Sequence, residues 1–337
     1  MSRRFPACPH STVPPVEPFR CGEWHRATRF VGNNGEKMKF QNFNRISALL
    51  ILFVPAILIF ADATSHSAPQ REEQKPEVIS LLGKKLYAAP AQGEELLNLE
   101  NDLKGALKAV EADPENTDNI ILYGRSLAAL WRYHEAIEVF SKGIEIHPDV
   151  ALLYRHRGHR YISIREFDKA VTDLTKAARL DERSFDIWYH LGLAHYLKGE
   201  FDKARPAYES CLKTAEDEDS KVAVSNWLYV TLRRLGLRED AAKVLEGITE
   251  GMKVEENTSY YILLLFYKGL KSEEETVAQA EASDLDFATV AYGVGCWHLS
   301  NGQSEKARTY FEKVMTKRYW PAFGFIASEV ELFRMKS

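Results

Sequence analysis

Residues 185–218 read FDIWYHLGLAHYLKGEFDKARPAYESCLKTAEDE, and this stretch decides the fold. Trp188, Leu191 and Gly192 sit at helical spacing in its first half. Ala204 and Tyr208 follow in its second half, after the break Lys198-Gly199-Glu200. Apolar residues recurring at three- and four-residue intervals on both sides of a break predict two helices joined by a tight turn. The same arrangement occurs twice upstream. Gly124, Gly158 and Gly192 are spaced 34 residues apart, and so are Ala136, Ala170 and Ala204. Phe140, Leu174 and Tyr208 each come four residues after the alanine, and Gly143, Ala177 and Cys211 supply a further small residue in phase. Pro148 closes the first unit, and Pro114 holds the same place one period earlier.

The spacing has a physical cause. A helical hairpin of this length cannot bury its apolar faces alone, so it must stack on its neighbours. The glycine and alanine let the two helices approach closely, and the larger side chain fills the remaining gap. This pattern resembles the tetratricopeptide repeat, in which Trp, Leu-Gly, Ala, an aromatic and Pro mark one helix–turn–helix unit. The resemblance covers residues 117–317. It implies an all-α fold, an α-solenoid of tetratricopeptide helix–turn–helix repeats with capping helices.

Working outward, clear repeats are expected at 117–150, 151–184 and 185–218 within a solenoid spanning 78–337. A degenerate unit at 222–250 carries Leu228, Leu232, Ala241 and Leu245, with Tyr229 in the glycine's place. The acidic run Glu216 to Asp219 reads as a short insertion before it. A shortened hairpin follows at 257–283, and Gly295, Ala307 and Phe311 restore the pattern at 288–317. A lone amphipathic helix is expected at 95–112, and a closing helix at 321–335 that shields the open end of the stack.

The N-terminus has a different character. From Met38, Lys39 and Arg45 precede the apolar run Ile46 to Phe60, and Ala61-Asp62-Ala63 follows. These are the three parts of a secretory signal in order. The run is short for a membrane span of about 20 residues. Residues 38–63 therefore predict a cleaved signal peptide and an exported protein, periplasmic or secreted. The alternative is a protein anchored through residues 46–61, and no other membrane contact is expected. Residues 1–37 read as a non-native or disordered extension, with Met38 as the start. Residues 64–77 read as a flexible linker.

Charge narrows the function. The chain holds 44 basic and 48 acidic residues. Without residues 1–63 the balance is 36 against 44, a net of −8. An acidic body lacks the field that displaces counterions from phosphates, so nucleic acid is not an expected partner. Cys8 and Cys21 precede the signal, while Cys211 and Cys296 fall on different expected helices, so no disulfide framework is indicated. No Gly-rich phosphate loop, CxxC, HExxH or GxSxG occurs. No cofactor and no catalytic residue are assigned.

The resemblance places certain helix-A positions on a concave binding face. By position these are Arg125, Arg155, His159, Tyr189, Tyr196, Asn226 and Arg233. Such a basic, aromatic lining suits a protein or peptide segment carrying acidic groups. The expectation is a non-enzymatic protein- or peptide-binding scaffold that engages its partner through this groove. One tetratricopeptide subclass clamps a C-terminal carboxylate. Its places here are Ile121, Arg125, His156, Asp186 and His190, where only Arg125 has suitable chemistry. The run Arg155 to Arg160 (RHRGHR) puts its charges on alternating helix faces, most of them expected in solvent. The competing reading is a metal-dependent accessory factor or enzyme using His156, His159 and His190, which neighbouring A helices would bring close.

Overall fold

A computed structural model describes residues 75–88 and 91–336. The expected signal peptide, the extension before it and residues 64–74 of the expected linker lie outside the described residues. The chain begins with a two-stranded antiparallel hairpin, β1 (Val78–Ile79) and β2 (Lys85–Leu86), with Val78 opposite Leu86. Fourteen helices follow among the described residues. They are α1 (Glu94–Ala112), α2 (Thr117–Ala129), α3 (Tyr133–Ile146), α4 (Ala151–Ser163) and α5 (Phe167–Leu180). Next come α6 (Phe185–Lys198), α7 (Phe201–Lys213), α8 (Glu218–Arg234), α9 (Arg238–Glu246) and α10 (Thr258–Tyr267). The last four are α11 (Glu273–Ala278), α12 (Asp284–Ser300), α13 (Ser304–Val314) and α14 (Phe323–Arg334). The fold is an all-α solenoid of stacked helical hairpins.

The small residues of the repeat do what their spacing implies. A Cβ added at Gly124 would lie 2.5 Å from the Phe140 ring, and one at Gly192 would lie 2.6 Å from the Tyr208 ring. In both cases the partner stands 16 residues later, four after the repeat alanine, and Gly295 meets Phe311 the same way. Ala136, Ala170, Ala204 and Ala307 are wholly buried where these helices cross. In the fourth unit Tyr229 replaces the glycine, and its ring stacks on Tyr267 of α10 with centroids 4.4 Å apart. Cys211 and Cys296 are both free and buried.

The acidic run belongs to the fourth unit and is not inserted before it. Asp217 caps α8, its side chain accepting from Ser220 N at 2.7 Å, and Glu218 and Asp219 form the first turn. Carboxylates are favoured there by the exposed amides and the helix dipole. Asp219 also accepts from the backbone N–H groups of Glu255, Glu256 and Asn257 at 2.7–3.0 Å, which fixes the approach to α10.

The closing helix α14 packs on α12 and α13 of the last hairpin. Beyond that hairpin, its side chains also reach α4, α6 and α8. The Arg334 Nη2 donates to Leu197 O at 2.8 Å, and Arg234 Nη1 meets Glu331 at 2.7 Å. Phe323 packs against His159, His190 and Tyr189 with ring centroids 5.3, 5.8 and 6.4 Å away. The close approach of α14 to α12 needs Gly324, where an added Cβ would lie 2.2 Å from Ala288 O. One core cluster accordingly joins Ile120, Phe140 and Leu153 of the first repeats to Phe287, Trp320 and Phe325 near the C-terminus.

The N-terminal hairpin fastens this closure. Glu77 caps α3 from outside, accepting from Tyr133 N and His134 N at 3.2 and 3.4 Å. Trp320 Nε1 donates to Tyr87 O at 2.8 Å, and Leu81 N donates to Glu329 Oε1 at 2.6 Å. Residues 75–77 thus end in a helix cap, not in a free tether.

Replacing Ala170 or Ala204 by Leu should overpack the hairpin and cost about 1–3 kcal/mol. Thermal melts followed by circular dichroism should show both variants melting below the wild type. An unchanged Tm in both would mean that the crossing point lies elsewhere.

Candidate functional site

Helices α2, α4 and α6 are the A helices of three successive repeats, so the 34-residue period places equivalent side chains side by side. Arg125, Arg155 and Tyr189 project from these helices into one chamber of about 130 Å³. Tyr260 of α10, Thr289 of α12 and, from the C-terminal segment, Tyr319, Pro321, Ala322 and Phe323 complete its lining.

The lining of the site is rich in cations. Arg125, Arg155 and Arg160 line it, and among the described lining residues Asp186 is the one carboxylate. Arg155 Nη2 meets Asp186 Oδ2 at 2.9 Å, and Arg155 Nη1 lies 3.0 Å from His156 Nδ1. Arg160 is buried with its guanidinium 5.1 Å from the Tyr133 ring centroid. Burial lowers the Arg160 pKa to about 10, so it stays charged at neutral pH. The charges of Arg155 to Arg160, expected mostly in solvent, are instead largely enclosed. Arg155, His159 and Arg160 are buried because the chain's own C-terminal segment covers this face of α4. Arg157 points the other way and holds Asp173 through two bonds of 2.7 and 2.8 Å.

The three histidines gather without forming a metal site. His159 and His190 rings lie 4.3 Å apart, while His156 stacks on Phe140 at 5.4 Å. Among the described residues no three His, Cys, Asp or Glu side chains converge as a metal requires. Burial holds all three imidazoles well below their usual pKa, with Arg155 or Arg160 adding repulsion. Neutral His190 has an assignable tautomer. Its Nδ1 lies 2.6 Å from Asp186 O, an acceptor, so Nδ1 carries the proton and Nε2 carries a lone pair.

The remaining expected groove residues lie elsewhere. Tyr196 is 1% exposed and accepts from Tyr292 OH at 2.7 Å. Asn226 is buried as well. Helix α12 covers this part of the inner face, which is why neither residue reaches an open surface. Arg233 lies at the C-terminal end of α8, donating to Tyr229 OH, Asn301 Oδ1 and Ser300 O at 2.8–3.3 Å. Arg125, Arg155, His159 and Tyr189 are thus the expected residues that the structure brings together. The sequence reading gave Asp186 the wrong sign for a clamp, and here it is the ion partner of Arg155. It did not foresee Arg160, Tyr260 or Phe323 at the site. Arg160 carried a signal, since it lies one residue beyond His159 in the same basic run.

The fold defines a helical-hairpin repeat protein with a partly enclosed inner chamber. A family model for the tetratricopeptide repeat matches residues 156–220, so the repeat is shown over that stretch. The human protein named tetratricopeptide repeat protein 12 is 26% identical over 118 residues, 35% of this chain and 17% of that protein. The BBSome complex member BBS4 of Bos taurus is 27% identical over 142 residues, 41% of this chain and 27% of that protein. The chain therefore spans less than a third of the length of these relatives. A solved tetratricopeptide repeat protein from Parabacteroides merdae is 18% identical, with a TM-score of 0.46 over 71% of this chain and 93% of that one.

The neutral histidines give stability a pH dependence. Their folded pKa values lie below the unfolded value of about 6.5. Between roughly pH 6.5 and 5 the unfolded chain therefore binds protons that the folded chain refuses, and stability falls as pH drops. Each histidine contributes up to about 1.4 kcal/mol per pH unit in that window. Thermal melts at pH 7, 6 and 5 should show a falling Tm, and His156→Phe should make the fall shallower. A flat Tm would contradict the buried, neutral assignment.

Proposed function

We propose that the protein is a non-enzymatic binding scaffold that takes an acidic group of a protein or peptide partner into the mouth of the inner chamber. Tetratricopeptide solenoids bind other proteins or peptides, and one relative is named as a member of a complex. The observation that carries the reading is the cluster of three arginines against one carboxylate on a surface walled by aromatic rings. Guanidinium groups in a partly dry site are strong ligands for an oxyanion. The partner contacts the chamber mouth, not a long open groove, because α12 and α14 already fill the rest of the inner face. We place the protein outside the cytoplasm, exported behind residues 38–63, on the strength of the apolar run and the Ala61-Asp62-Ala63 site.

Two measurements test this. Arg125 is half-buried, and its replacement leaves the Arg155–Asp186 ion pair in place. Arg155→Ala, by contrast, would leave Asp186 without its ion partner. Partner capture by immobilised wild type and Arg125→Ala should therefore differ about tenfold, equivalent to ~1.4 kcal/mol, with helicity and Tm unchanged. Capture should also weaken as salt rises. Equal capture by the two proteins would move the partner to another surface. Separately, the intact mass of the exported protein should correspond to an N-terminus near Thr64, and a mature species retaining residues 46–60 would support the anchor instead.

A further inference from the structure

The chamber is small. At about 130 Å³ it is close to the roughly 150 Å³ of an engineered cavity that accepts one benzene molecule. A phenyl ring fits that space, and the fused rings of an indole exceed it.

The wall offers more carbon than polar surface. Tyr133, Phe140, Tyr189, Tyr260, Tyr319 and Phe323 all line it. Tyr189 and Tyr260 turn their oxygens to Trp227 of α8 behind the wall, whose Nε1 donates to them at 2.8 and 3.3 Å. Their ring carbons are therefore what the chamber meets. Ser163 Oγ donates to His159 O at 3.2 Å, and Thr289 Oγ1 donates to Leu285 O at 3.1 Å, so these hydroxyl groups are also engaged within the protein. Arg125, Tyr260, Leu285, Thr289 and Phe323 keep partial exposure, whereas Arg155, His159, Arg160, Tyr189 and His190 are buried. The first set forms the rim and the second the floor. A side chain can enter between them with its backbone left outside, beside Arg125.

The wall favours an aromatic side chain over an aliphatic one of the same bulk. Ring edges meet ring faces favourably, and a guanidinium attracts the face of a ring. The guanidinium makes that contact through its own flat face, whatever its N–H groups hold. Both geometries already occur in the wall. The Arg160 guanidinium lies 5.1 Å from the Tyr133 ring centroid, and Phe323 meets His190 edge-on at 5.8 Å. We propose that the chamber is a pocket for one phenyl ring, the side chain of a phenylalanine in the protein or peptide partner, next to the acidic group that Arg125 meets at the rim. This deepens the acidic-ligand reading and rests on it for the contact with Arg125.

N-acetylphenylalanine, N-acetylalanine and N-acetyltryptophan share one acidic backbone and differ in the side chain. Titration of the folded protein by calorimetry should show the phenylalanine compound binding at about 1 mM or below, at least tenfold tighter than the other two. Thr289→Phe, which sets a ring into the chamber from α12, should cut that preference over alanine to less than about threefold. Phe323→Ala, which widens the chamber, should raise tryptophan binding relative to phenylalanine. Thermal melts check that each variant is folded, and because the readout is a ratio between ligands, a modest loss of stability does not mimic the result. Equal binding of the phenylalanine and alanine compounds overturns the ring pocket and leaves the acidic-ligand reading standing. Equal binding of N-acetylphenylalanine and its amide, with the ring preference kept, supports the pocket and overturns the acidic-ligand reading. N-acetylcyclohexylalanine binding as tightly as N-acetylphenylalanine overturns the aromatic assignment in favour of bulk alone. Tighter binding of N-acetyltryptophan by the wild type overturns the single-ring assignment. No binding of any of these compounds at about 10 mM overturns both readings.

Discussion

The buried pair of Arg165 and Glu329 holds the molecule's shape. Glu329 is 0% exposed, and its Oε2 accepts from Arg165 Nη2 at 2.8 Å. Its other oxygen accepts the backbone N–H of Leu81. Arg165 in turn donates to Trp320 O at 3.3 Å and to Ser163 O, and its guanidinium lies 5.4 Å from the centroid of the Trp320 ring. One carboxylate thereby ties together the N-terminal hairpin, the second repeat and the C-terminal helix. Such a pair gains little over an apolar substitute, but losing one partner leaves a buried charge and costs about 3–5 kcal/mol. It specifies which surfaces meet more than it adds net stability.

The backbone shows that this closure is built in. Gly199 follows α6 with φ 82°, the left-handed conformation a glycine adopts without strain. The equivalent places one and two periods earlier hold Arg165, at φ 68°, and Trp131, at φ 59°. A side chain there costs roughly 1–2 kcal/mol. Both residues spend that strain on the C-terminal segment. Arg165 reaches Glu329, and Trp131 packs edge-on against Tyr319 and Trp320 at 5.1 and 5.4 Å. Residues 319–323 are thus pinned as a roof, and the chamber is what remains of the inner face beneath them. The arginines and histidines of α4 are enclosed by the same act, which turns an ordinary basic helix face into a site with depressed imidazole pKa values and unpaired buried atoms.

The repeats were legible in the sequence because their determinants are local. Gly124 with Phe140, and Gly192 with Tyr208, are 16 residues apart and recur at a fixed period, so pattern alone locates them. Four of the seven expected groove positions converge on one chamber for the same reason. What sequence periodicity could not supply is the overlap of one turn of the solenoid with another. Tyr196 meets Tyr292, and Arg165 meets Glu329, across 96 and 164 residues. No repeat rule relates those positions, so Tyr196 and Asn226 were read as surface. The break in pattern at Trp131 and Arg165, where a glycine would suit the turn, is the one sequence signal that those two loops face something particular.

Closure also changes how the array behaves as a polymer. In an open solenoid each unit touches only its neighbours, and stability is close to a sum of unit and nearest-neighbour terms. Here the first repeat shares a core with Phe287, Trp320 and Phe325, so it cannot fray without exposing the C-terminal segment, and the reverse holds equally. The two ends, usually the least stable parts of a repeat array, are made mutually dependent through the hairpin, Glu77 and Glu329. A site roofed by the C-terminal segment and floored by the first three repeats then inherits that dependence. Any ligand that pairs atoms of α4 and α6 beneath residues 319–323 stabilises the closed state as a whole, since opening the roof would expose the ligand and the shared core together.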